Sequence, residues 1–318
     1  MELDRTEIVI RQRGSLELMD LSLMVLKRHY VKLLQAGTIL GLPLLVVDVL
    51  LLHWMISEDA VLASQVYSGS DAFIWWRYTG HLCVLYALQI PIATLPITLY
   101  LGAQTFFIPI TFKEIVRNLW QLRWPIFWIL GIIRLGLLVI PLELLLRDQT
   151  AFDVMEGFFL FAVFPLFMLI RTFIPFSPEI LGLERCPIVA KNKNQVSYGA
   201  RRGNLHGPLQ GELFVRMIAA CFNGTLLVMM LGGTLLFLKA HTLGDWTWNW
   251  FFFVVISPLS LWLVGIFLGV YRYLSYIDCR IRLEGWEIEL RMRAEAERME
   301  NRENPAINAG TVGTEAAR

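Results

Sequence analysis

The sequence predicts an all-α fold: a polytopic membrane protein with six transmembrane helices and interfacial helices on the cytoplasmic side. Three observations carry that expectation. Hydrophobic residues make up 56% of the 318-residue chain, and mean hydropathy is +0.55, above the ~45–50% apolar content of soluble domains. The excess falls in blocks of about 20 residues, the length at which a helix crosses a ~30 Å hydrocarbon core. Lys and Arg also alternate from loop to loop. Lipid satisfies no loose backbone polar group, so helices are the economical spanning solution, and no set of short alternating segments suggests a β-barrel.

Residues 1–32 read as a cytoplasmic segment with an interfacial helix, because "SLELMDLSLMVLKRHY" mixes charges with apolar residues. The first apolar block is too long for the core of a cleavable signal peptide, so it is expected to stay as a signal anchor. The membrane domain covers 33–275, with spans at 33–53, 80–102, 125–146, 152–174, 217–238 and 251–271. Six Lys/Arg precede span one, three lie between spans two and three, seven run from the end of span four to span five, and eight follow span six. The alternate loops hold only Arg77, Arg147 and Lys239. The positive-inside rule then places both termini in the cytoplasm. Trp54, Trp75, Trp76, Trp246, Trp248 and Trp250 crowd the outer boundaries, and Trp120 and Trp124 mark the inner one, as an interfacial belt does.

Spans one, three and five begin at 33, 125 and 217, two equal steps, each after a mixed stretch. This spacing fits either three repeated hairpin units or coincidence. In "TFKEIVRNLWQLRW", Phe112, Ile115, Val116, Leu119 and Leu122 share one helical face, as in a helix lying in the interface. "GTILG" in span one and "GIFLG" in span six put Gly37/Gly41 and Gly265/Gly269 on single helix faces and permit close helix contact, either internal or between copies. Residues 276–300 read as a charged cytoplasmic helix. Strand-like alternation is also present there, but no partner strand is evident. Residues 301–318 lack apolar periodicity and read as a disordered tail.

Candidate site residues lie inside the spans. Arg134 is the tenth residue of span three, about 14 Å from the inner edge and near the midplane, where a charge must find partners. Gln89 sits at similar depth in span two, followed by Pro91 and Pro96, which free backbone carbonyls. Asp48 and Glu143 are acidic but lie in the outer third. Side chains lean toward the helix N-terminus, so Arg134 is expected to lean inward, to Gln89 and free carbonyls. The 175–216 loop carries Arg201, Arg202 and His206 among glycines, a candidate cradle for phosphate or anionic lipid headgroups. No HExxH, GxSxG, GxxxxGK[ST] or GxGxxG occurs, and the four cysteines are far apart. No metal, cofactor, catalytic residue or nucleic-acid partner is therefore expected.

After span six comes "YIDCRIRLEGWEIEL". Helical spacing pairs Asp278–Arg282, Arg280–Glu284, Glu287–Arg291 and Glu289–Arg293. Tyr276, Asp278, Arg280, Arg282, Glu284 and Gly285 resemble the Tyr-x-Asp-x-Arg-x-Arg-x-Glu-Gly signature that closes many uncharacterised bacterial multi-pass membrane proteins. The stretch is also similar to the end of the membrane domain of some glycerophosphodiester phosphodiesterases. The resemblance implies a six-helix membrane domain in a bacterial inner membrane. It does not carry over the phosphodiesterase activity, since no such catalytic domain is present. Three functions stand open. The first is a non-catalytic scaffold or regulatory component meeting a protein partner on its cytoplasmic face. The second is a transporter or channel component with a midplane site at Arg134, and the third a lipid-modifying enzyme. The charged segment is expected to fit the protein's own inner loops rather than a partner. Membrane lipids are partners in every case.

Overall fold

The computed structural model describes residues 13–56, 72–105, 108–145, 154–172, 174–190, 195–244, 246 and 250–285. The tail at 301–318 and the pairs Glu287–Arg291 and Glu289–Arg293 lie outside them. The described residues form helices and no strand.

Helix α1, Ser15–Leu52, bends at His29, where φ −115° and ψ 20° leave helical values. The bend separates the mixed N-terminal stretch from the apolar run. Helices α2, Ala72–Ala93, and α3, Leu95–Thr105, form one nearly continuous rod stepped at Thr94. Pro91 has no N–H and so removes the bond to Ala87 O, while Thr94 N–H still reaches Ile90 O at 2.9 Å. Helix α4, Phe112–Gln121, opens with a reciprocal capping box between Thr111 and Glu114. It buries Ile115 and Leu119, while Phe112 and Val116 of the expected shared face stay exposed.

Helix α5, Arg123–Ile133, widens into π-type turns and ends at Arg134. Leu135 takes a left-handed φ of 58°, and α6, Val139–Leu145, resumes beyond. The expected span 125–146 is thus two pieces with the break at its one arginine. Helix α7 runs from Val154–Phe158 through a wide turn into Phe164–Thr172. Helix α8, Ser177–Glu179, widens through Ile180–Glu184. Helices α9, Tyr198–His206, and α10, Gln210–Leu243, follow. Helix α11 begins with wide turns at Phe252–Ile256 and continues as Ser257–Glu284, closed by Gly285 at φ +66°, a conformation glycine adopts at little cost.

The paired glycines set the helix spacing. Gly37 and Gly41 on α1 receive Ile266 and Trp262 of α11, and Trp262 Nε1 donates to Gly37 O at 3.2 Å. Gly265 lies against Tyr86 and Gly269 against Thr94 of the α2–α3 rod, so closely that a Cβ at either would fall under 3 Å from them. Both glycine pairs are therefore spent on internal packing. Among the described residues, four helical stretches are long and apolar enough to cross a membrane: Ser15–Ile56, Ile74–Thr105, Gln210–Leu243 and Phe252–Glu284. The α2–α3 rod is the most enclosed and α10 the least, with Phe222, Met229 and Met230 each about two-thirds exposed. Water would penalise so broad an apolar face, and hydrocarbon does not.

Candidate functional site

Ionisable side chains line the α2–α3 rod from one end to the other, in three groups. At the first end, Arg77 of α2 donates from Nε and Nη2 to the two carboxylate oxygens of Glu156 on α7, at 2.6 and 2.7 Å. The guanidinium also stands 5.4 Å over the Trp54 ring. One turn along, His81 places Nε2 2.8 Å from Glu156 Oε1 and Nδ1 2.9 Å from both oxygens of Glu143 on α6. His81, Glu143 and Glu156 are all at most 1% exposed. Carboxylates only accept, so satisfying both ring nitrogens takes two protons spread over the ring and two carboxyls. Two turns further, Gln89 Nε2 donates to Asp48 Oδ1 at 2.7 Å, while Asp48 Oδ2 and Gln89 Oε1 have no hydrogen-bond partner among the described residues.

The second group is cationic. Arg171 of α7 donates to Ala87 O at 3.3 Å and Leu88 O at 2.8 Å, so it takes the carbonyl that Pro91 leaves open. Arg134 donates through Nη1 to Ile174 O and to Ser177 Oγ, the latter at 2.7 Å, and Tyr198 OH donates to the same Ser177 Oγ at 2.8 Å. Arg272 of α11 donates to Glu179 Oε1 at 2.7 Å and reaches Thr98. Arg134 meets a backbone carbonyl, that of Ile174. Its expected partner Gln89 does not join it. Helix α5 ends at Arg134 itself, so the side chain reaches the start of α8, and Gln89 is engaged by Asp48.

The third group joins the end of α11 to Arg13 and to residues of α8, α9 and α10. Tyr276 OH donates to Glu184 at 2.6 Å. Arg280 pairs with Glu284, and Arg201 of α9 spans Glu184 and Glu284. Asp278 accepts from Arg216 at 2.6 Å and from the backbone N–H of Arg13 at 2.9 Å. Arg282 donates to Glu212 at 3.0 Å and to Arg13 O at 2.6 Å, and lies 3.1 Å from Asp278. Both pairs expected at 278–284 thus form. Burial pushes the Glu184 carboxyl up, but hydrogen bonds from Arg201 and Tyr276 outweigh it and hold it below the usual range. The same bonds to Glu184 and Glu284 hold Arg201 above its usual value despite burial.

The headgroup cradle expected at Arg201, Arg202 and His206 is otherwise engaged. Arg201 is held between two carboxylates. His206 is buried, accepts from Phe176 N–H at 3.3 Å and stands 2.7 Å from Arg202 O. Burial, reinforced by the Arg134 and Arg202 charges, lowers it to about 4, which keeps it neutral at pH 7.

The expected residues Gln89, Asp48, Glu143 and Arg134 therefore fall into two buried groups. Arg77, His81, Glu156, Arg171, Glu179 and Arg272 belong there too. Their signal was in the sequence, since an ionisable residue within or at the edge of an apolar span is a site candidate whatever the loop it is counted with. Among the described residues no cluster of His, Cys, Asp and Glu suits a metal ion, and the cysteines there are free thiols. Comparison with protein-family models, with curated proteins and with solved structures finds no match to this chain.

Proposed function

We propose that this chain is a bacterial inner-membrane protein of six spans, with both termini cytoplasmic, working as a transporter or channel component. The observation that carries this reading is the buried chain Arg77–Glu156–His81–Glu143, continued by Gln89–Asp48. Three carboxylates, an imidazole and a guanidinium in an apolar bundle carry a heavy desolvation cost, and well-packed leucines would hold the helices as firmly. A ring bridging two carboxylates can pass a proton from one to the other by exchanging which oxygen or nitrogen holds it. The six-span reading is supported by the helices at each expected span: spans one, two, five and six fall on long apolar helices, three and four on α5–α6 and α7. The scaffold reading loses weight because the signature charges are matched within the chain rather than offered to a partner. The resemblance is accordingly read as marking an intramolecular clasp.

Solid-supported membrane recordings on proteoliposomes test the proposal. An acid step should evoke a transient charge displacement that Glu143→Gln and His81→Gln diminish severalfold. Wild-type currents no larger than those of empty vesicles would return the protein to the scaffold class.

A further inference from the structure

Charge is not balanced along the rod. The group beside α8 holds three guanidiniums, Arg134, Arg171 and Arg272, against one carboxylate, Glu179, whose Oε1 accepts from Arg272 and whose Oε2 has no hydrogen-bond partner among the described residues, so three positive charges face one negative. The bonds that Arg134 and Arg171 make run to backbone carbonyls and one serine hydroxyl, and none runs to an anion. Arg134 is 9% and Arg171 5% exposed. The two are neighbours through Ile174, whose carbonyl accepts from Arg134 and whose N–H donates to Arg171 O at 3.1 Å. Arg134 Nε is buried and has no hydrogen-bond partner among the described residues, although guanidinium is built to present its donors as a fork to a carboxylate or phosphate. His206, neutral and near Arg134, supplies no negative charge. Tyr198 and Ser177 add hydroxyls beside Arg134.

Uncompensated like charges this deep call for a counter-ion. We infer that Arg134 and Arg171, with Arg272 beside them, form a buried site for a small oxyanion, phosphate or carboxylate, arriving free or as a lipid headgroup. The inference deepens the transport reading by naming the substrate class, and rests on that reading for the word substrate; occupancy itself is measured without flux.

Full-length protein in detergent micelles is titrated with inorganic phosphate, sulfate and acetate while its thermal midpoint is followed. In parallel, protein from nanodiscs of phosphatidylcholine with or without phosphatidylglycerol is weighed by native mass spectrometry. A free ligand gives a saturable rise in midpoint with at least one of the three anions. A headgroup ligand gives retained phosphatidylglycerol. Arg171→Gln and Arg134→Gln should weaken whichever signal appears by roughly tenfold or more, the worth of one charge-assisted hydrogen bond. Arg117→Gln, exposed on α4, should not. Arg171→Lys keeps the charge but not the fork, and should weaken binding while preserving the fold. Wild-type protein that neither responds to the anions nor retains the lipid overturns the site even if no variant folds. So does binding equal in wild type and the Arg171 and Arg134 variants. Binding without charge displacement in the proteoliposome recordings leaves the site standing and removes the transport reading. Displacement without binding does the reverse.

Discussion

His206 ties one titration to stability. Its folded value, about 4, lies below the 6.5 of a free imidazole, so between those values the unfolded chain binds more protons than the folded one. Stability then rises with pH across the window and falls on acidification, by at most about 3 kcal/mol. We predict that the thermal midpoint of wild type drops between pH about 6.5 and about 4, and that His206→Gln, which keeps a polar tip but cannot take up the charge, shows a shallower decline there. Equal slopes would remove His206 as the cause. Glu184 acts in a separate window. Its folded value is depressed, so its contribution is complete above the ordinary carboxylate range and is lost only as pH falls through the lower folded value.

Among elements, the glycine seams decide how closely α1, α2–α3 and α11 approach. A Cβ on Gly269 would come within 2.8 Å of Thr94, whereas one on Gly233 of α10 would meet nothing within 4 Å. Gly269→Val should therefore separate α11 from the rod and cost about 1–3 kcal/mol, the range for overpacking, while Gly233→Val should be near neutral. Thermal denaturation in micelles separates the two, and an equal effect would contradict the packing. This scale also shows what sequence reasoning reaches. The seams, helix α4 and the long apolar helices were legible because period and spacing are local properties. The break at Arg134 was missed, because the left-handed φ falls on Leu135, a residue that gives no turn signal, while Gly136 beside it, where a Cβ would come within 2.6 Å of Leu130 O, reads in sequence as one more small residue of an apolar run. Charge counting likewise put Arg77 and Arg171 with the loops, although folding seats both among buried helices. The pairs Asp278–Arg282 and Arg280–Glu284 could be read from spacing alone. Their long-range partners Arg13, Glu184, Arg201, Glu212 and Arg216 could not, since nothing in a sequence says which distant charge will arrive.

For the whole molecule, the proposed topology makes a direct prediction. In a background lacking the four native cysteines, an impermeant maleimide should label Ser70→Cys from outside intact cells, and Gln195→Cys only after the membrane is opened. The reverse pattern would invert the protein. Charge is distributed along the rod in a matching way: carboxylates collect with His81 toward one end of α2, and guanidiniums where α7, α8 and α11 meet it. Such separation costs less in a protein whose buried groups exchange protons and counter-ions than in one whose core is closed for good. The clasp adds a constraint of time. Arg13 meets Asp278 across 265 residues of sequence, and at roughly 5–20 residues per second the ribosome needs on the order of half a minute to supply the second after the first. Until then Arg216 has its neighbour Glu212 but not Asp278. Closure of that contact is thus a record that the last helix has been made and seated.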